Sequence, residues 1–156
     1  MLSSIRPWCA AIALALAATG AAIAREGAEE EAATLDPSYV AAKTAIASRR
    51  YPDALRLLSE ALARDPLNAD THNLLGYTHR KSGNLERAFH HYQEALRLDP
   101  RHRGAHEYIG EAYLLAGNLA KAEDHLRVLE GLCQSPCEER DDLRKAISEY
   151  KQRARR

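Results

Sequence analysis

The chain has 156 residues, and its 22 basic and 22 acidic side chains balance to a formal charge of zero. That length holds one modest domain, and the charge balance excludes a nucleic-acid binder that works through a broad basic surface. Gly and Pro are sparse while Ala, Leu, Glu and Arg abound, which favours helix throughout.

Residues 1–24 read as a secretory signal. Arg6 supplies the positive start, an apolar run extends from Trp8 to Ile23, and Ala22-Ile23-Ala24 is a small-x-small cleavage pattern with the cut after Ala24. The run is shorter than the roughly 20 residues of a spanning helix, so no stable membrane insertion is expected once it is removed. The expected location is periplasmic or secreted, in a bacterium. Cys9 would leave with the signal, and so would Trp8, the single Trp; the core then rests on Leu, Ala, Ile and Tyr. Residues 25–34 (REGAEEEAAT) carry no apolar stripe and read as a flexible acidic linker.

From Leu35 the chain repeats every 34 residues. Ala54, Ala88 and Ala122 keep that spacing, as do Pro66 and Pro100, Gly76 and Gly110, Gly83 and Gly117, and Leu85 and Leu119. Self-similarity at such a period marks a stack of supersecondary units. The units fall at 35–68, 69–102 and 103–136. Each holds two helices and a short turn, made by Gly83-Asn84, by Gly117-Asn118, and in the first unit by Arg49-Arg50-Tyr51-Pro52. Gly can take positive φ and Asn can cap the following helix. Small residues are expected to face each other where paired helices cross: Ala42 with Ala54, Gly76 with Ala88, Gly110 with Ala122. A last helix at 137–154, with Leu143, Ala146, Ile147 and Tyr150 as its stripe, caps the stack. Ser135 and Glu138 have capping-box spacing for its start.

The stretch from Asn73 through Leu75-Gly76-Tyr77, Ser82-Gly83-Asn84-Leu85 and Ala88 to Pro100 resembles the tetratricopeptide repeat, and the resemblance covers Leu35 to about Pro136. It implies an all-α, right-handed superhelical stack of three helix-turn-helix units plus the capping helix. It also implies a non-enzymatic adaptor that holds a protein or peptide in a concave groove. The groove positions it implies are Tyr39, Lys43 and Ile46 in the first unit, Asn73, Tyr77, Arg80 and Lys81 in the second, and Glu107, Glu111 and Leu114 in the third, with Asp141 and Lys145 of the cap able to join. Tyr and Arg are the expected anchors. The carboxylate-clamp pattern of some family members is broken, since the matching places hold Tyr39, Lys43, Leu74, Gly104 and Tyr108.

Other chemistry is thin. Cys133 and Cys137 flank Ser135-Pro136, a helix-breaking turn that could bring them within bridging distance. A structural disulfide is the favoured reading; a thiol or Cu(I) site and free thiols are the alternatives. The seven His include register pairs, His72 with His106 and His91 with His125, which points to packing rather than to a metal. No phosphate loop, nucleophile elbow or metalloprotease helix occurs, so neither cofactor nor metal is expected. Self-association is conceivable through the first unit's outer face around Tyr39, Ala42, Ala45 and Ile46.

Overall fold

A computed structural model describes residues 36–155. The signal, the linker, Trp8 and Cys9 lie outside those residues. The described residues form seven helices and no strand: α1 (Pro37–Ala47), α2 (Tyr51–Arg64), α3 (Ala69–Lys81), α4 (Leu85–Leu98), α5 (Arg103–Leu115), α6 (Leu119–Leu132) and α7 (Glu138–Arg153). The fold is all-α. Three pairs, α1–α2, α3–α4 and α5–α6, stack in order, and α7 packs on α5 and α6.

Five of the seven described helices start at a side-chain cap. Asp36 accepts from the Ser38 and Tyr39 amides, Asn68 from Thr71, Asn84 from Arg87 and Asn118 from Lys121. At α5 the imidazole of His102 does this through Nδ1, which accepts from the Ala105 amide at 3.1 Å. These bonds satisfy amides that the first helical turn leaves without partners. The Asp36 carboxylate also takes a 2.8 Å bond from Arg64 Nη2, tying the start of α1 to the end of α2. Within the pairs the turns hold one residue at positive φ: Arg49 (56°), Gly83 (82°) and Gly117 (76°), again 34 apart.

The start of α7 departs from expectation. Ser135 makes no cap; the helix begins only at Glu138, behind Cys137, and has no side-chain cap bond. Backbone near the extended region at Cys133 and Cys137 keeps the intervening segment out of the helix, so Ser135 sits too far back for a capping box.

The close approaches also differ in detail. Ala42, Ala54, Ala88 and Ala122 are fully buried. A methyl at Gly76, however, would lie 2.5 Å from the ring of Tyr92, and one at Gly110 would lie 2.7 Å from Leu143. The glycines therefore make room for a large residue: Tyr92 within the second pair, and Leu143 of the cap in the third. Leu143 and Ile147 complete a buried cluster with Leu114, Ala122 and Leu129. Separate clusters centre on Tyr92 and Ile109 and on Ala42, Leu58 and Leu75.

Candidate functional site

The first helices of the second and third pairs are neighbours in the stack, since α3 touches α5, and α5 in turn touches the capping helix α7. On α3, Asn73, Tyr77 and Arg80 recur at i, i+4 and i+7 and so share a face. On α5, Gly104, Glu107, Tyr108 and Glu111 do the same. These two faces meet. The Tyr77 and Tyr108 rings are 5.0 Å apart at 52°, and the Arg80 guanidinium lies 5.4 Å from one ring centre and 5.6 Å from the other. Lys81 sits 5.4 Å from the Tyr77 ring. Such distances are within cation–π reach.

Arg80 is more enclosed than an anchor for a guest should be. Its side chain is only 6% exposed, with Nη1 2.6 Å from Glu111 Oε2. Its Nε donates to the Tyr92 hydroxyl at 3.2 Å. Arg80 and Glu111, both expected as groove contacts, are thus spent largely on each other, and they pin α3 to α5. Burial is the main reason the Tyr108 phenol is pushed up to about 12, with the neighbouring Glu107 adding to it.

Glu107 lies one turn from Glu111 on the same helix. It is buried, and no hydrogen bond or ion pair reaches its carboxyl from the described residues. Burial, then Glu111, Asp142 and Glu139, push its pKa up to about 8, against the opposing pull of Arg80. The shift favours the protonated acid over the carboxylate. Across from this helix, on α3, Asn73 has its Nδ2 3.2 Å from where a Gly104 Cβ would stand. Only Gly lets the amide enter this seat without displacement. Asn73 Oδ1 is buried and unbonded among the described residues.

At the other end, Tyr39 is half-buried and Lys43 exposed on α1. The Tyr39 phenol is pushed up to about 12, by burial first and by Asp70 second. Asp70 in turn pairs with His102 Nε2 at 3.0 Å.

Several expectations need correction. Leu114 is core, not groove, because α7 lies over it beside Leu143 and Ile147. Ile46 packs with Tyr39, Leu74 and Leu58. Ala42 and Ala45 cannot form an outer face, since both are fully buried. From the cap, Asp141 turns to Arg140 and Arg144, while Glu139 and Asp142 are the acids that act on Glu107. Their place was legible: they flank the Leu143–Ala146 side of the apolar stripe. Tyr108 and Gly104 entered the sequence reading only as breaks in a clamp pattern, and their contact with Asn73 and Tyr77 crosses helices more than two dozen residues apart.

Two other clusters lie elsewhere. Cys133 and Cys137 have Cα atoms 5.8 Å apart and sulfurs 2.03 Å apart, with Glu139 close enough to join them as a third donor. The histidines form a repeated device. His72 Nδ1 is 3.2 Å from His91 Nδ1, and His106 Nδ1 is 2.9 Å from His125 Nδ1. The Nε2 atoms of His72 and His106 face the carbonyls of Pro66 and Pro100 at 3.3 and 3.1 Å. A carbonyl only accepts, so these Nε2 atoms carry the proton, and in a neutral pair His91 and His125 must donate through Nδ1. His79 stacks on His91 and Tyr113 on His125. Burial first, then the partner imidazole, holds His91 and His125 down at about 4. No described helix is long and apolar enough to cross a membrane.

Comparison with known proteins agrees with this architecture. No curated protein matches the sequence. Among solved structures, the type III secretion translocator chaperone SycD of Yersinia enterocolitica is similar at 22% identity and TM-score 0.69, over 80% of this chain and 88% of its own. SycD in complex with a peptide of the translocator YopD is similar at 21% identity and TM-score 0.65, over 75% and 92%. The TPR2B domain of yeast Sti1 in its Hsp70 complex gives 20% and 0.64, over 72% and 94%. At such identities the likeness concerns the fold. The family model "Tetratricopeptide repeat" matches residues 39–100 and again 75–135, overlapping windows that together take in more than half the chain and every element of the three helix pairs but the first two residues of α1. With the 34-residue register and the stacked pairs, this makes the chain a member of the tetratricopeptide repeat family, a family of interaction scaffolds rather than catalysts.

Proposed function

We propose that the protein is an exported adaptor that holds a peptide or protein partner against the inner face formed by α3, α5 and the start of α7. The observation that carries this reading is the Tyr77–Tyr108 shelf beside the fixed Arg80 cation. Two aromatic faces fixed at 5.0 Å offer contact area at little entropic cost, which is what anchor sites need. Support comes from relatives of the same fold, among them one solved with a YopD peptide and one with Hsp70. Signal removal after Ala24 and residence in the periplasm or outside the cell follow from residues 1–24.

The test is capture from an envelope extract on the immobilised chain, in parallel with the Tyr77→Ala/Tyr108→Ala variant. The expected result is a partner retained by the unaltered chain and reduced about tenfold or more by the variant. Equal recovery would remove the shelf from the reading. The mass of the exported chain reads out the cleavage site in the same preparation.

The Cys133–Cys137 pair is proposed as a structural bridge between α6 and α7, since their Cα spacing lies within the bridging range. A thiol or Cu(I)-handling role remains the second reading, because Glu139 stands within donor reach of both sulfurs. Thiol titration decides: a bridge leaves no reactive thiol in the unreduced, unfolded exported chain.

A further inference from the structure

We propose that the cleft between α2 and α4, over the back of α3, is a second binding site that takes a small aromatic carboxylate. It is separate from the groove. On α3, Leu75 and His79 lie roughly half a turn around the helix from Asn73, Tyr77 and Arg80, so the two sites open on opposite sides.

The cleft has a volume of about 590 Å³, inside the range of about 300–1,000 Å³ usual for small-ligand sites. Leu55 and Leu62 of α2 and the buried Leu75 of α3 give it apolar walls, and His79 and Arg87 line it from α3 and α4.

The repeat shows what kind of body belongs there. One period on, Leu62 and Leu75 are matched by Leu96 and Ile109, but Leu55 becomes Phe89 and His79 becomes Tyr113. Those two rings lie 4.7 Å apart and pack on the core cluster of Tyr92 and Ile109. The second junction between units thus supplies its own aromatic pair where the first leaves a cleft. A guest ring takes the part of Phe89, with the His79 imidazole in the part of Tyr113.

The rim selects the sign of the guest. Arg56 and Arg87 are the charged residues of the lining. Arg56 is shared with Glu60 at 2.5 Å, whereas the exposed Arg87 enters no ion pair among the described residues. His79 is 8% exposed, and its ring makes no hydrogen bond among the described residues, yet neither nitrogen is closed off from solvent. Burial, then Arg87, hold it below the usual imidazole range, so the neutral ring has one N–H to give. A carboxylate entering the cleft meets that N–H and the Arg87 guanidinium, and charge-assisted bonds are roughly twice as strong as neutral ones. A cationic guest would face Arg87 and is excluded. A straight acyl acid satisfies the charge and leaves the ring surface unmatched.

Three probes separate ring from charge: naphthylacetate, its neutral twin naphthylacetamide, and octanoate, which keeps the acid and lacks the ring. Each is titrated into the isotope-labelled full chain at about pH 7, and amide resonances are followed. Naphthylacetate is expected to move those of Leu55, His79 and Arg87 and to leave Tyr77 and Tyr108 in place. It should bind about tenfold more tightly than either of the others. Arg87→Gln should reduce its affinity to that of the amide. Leu55→Phe/His79→Tyr, which installs the rings that the next unit already accommodates, should abolish the binding with helical content unchanged.

Equal affinity for the acid and its amide, or for the acid and octanoate, would overturn the proposal. So would shifts confined to Tyr77 and Tyr108, or binding that survives in the ring-filled variant. Each of these outcomes leaves the peptide groove standing, since it is built on the other side of α3.

Discussion

Glu107 shows how one side chain can be set against stability. Its pKa is raised to about 8, from an unfolded value near 4.3. The folded state therefore holds the extra proton between those values. The resulting stabilisation is complete below about pH 4.3 and is lost as pH rises through 8. Glu107→Gln removes that dependence. The variant should be more stable than the parent at pH 8.5 by roughly 1–2 kcal/mol, with the advantage shrinking toward pH 5; urea unfolding at the two pH values measures it. A constant difference would mean the carboxyl is ionised in the fold. The Arg80–Glu111 pair is the opposite case, two enclosed charges that answer each other at 2.6 Å. Neither pairing was visible in the sequence. Arg80 and Glu111 stand 31 positions apart, out of step with the 34-residue period, so the register gives no hint that they meet.

At the scale of the element, the turn between α1 and α2 is the odd member of three. Gly83 and Gly117 occupy the left-handed position that their backbone requires, whereas Arg49 takes φ of 56° with a full side chain. A non-Gly residue there usually costs about 1 kcal/mol or somewhat more. Arg49→Gly is expected to raise stability by about 0.5–1 kcal/mol after its greater unfolded-state entropy is counted, with no change in the spectrum of α3 to α7. A lower melting temperature would show that the Arg49 side chain makes up for its backbone. The period was enough to place this turn, since the equivalent glycines lie 34 and 68 residues on. The capping helix was harder. Its apolar stripe at Leu143, Ala146, Ile147 and Tyr150 was plain, yet its docking depends on Leu143 filling the space that Gly110 leaves open. Its late start at Glu138 depends on backbone that no capping pattern reports.

For the molecule as a whole, repetition made the fold legible and hid the site. Each unit buries the same small residues, so composition and period alone gave helix pairs, turns and stacking. The inner face is where the units differ: position 73 is Asn and its equivalent is Glu107, while Gly104 answers to Asp70. Differences of that kind have no periodicity to read. The histidine pairs, by contrast, do repeat, and they give the stack a pH response. His91 and His125 are held at about 4 against an unfolded value near 6.5. The unfolded chain then binds more protons over that window, so stability is full above 6.5 and is lost as pH falls toward 4. Glu107 acts with the other sign between about pH 4.3 and 8, offsetting part of the imidazole effect at the lower end and dominating above 6.5. The melting temperature should therefore peak near pH 6.5, dropping by about 5 °C or more on going to pH 4.5. A melting temperature that fails to rise from pH 4.5 to 6.5 would show that the imidazoles are not held down in the fold.

The lock between α3 and α5 has a consequence for any guest. Arg80, Glu111 and Tyr92 hold the two walls in place before anything arrives, from behind the surface and away from competing salt. Little freedom is left there for an arriving chain to freeze, so less of the contact energy is lost to ordering the host. The receiver arrives already set. Discrimination among guests then depends on whether they fit a fixed mould, and a misplaced group is rejected because the mould does not yield.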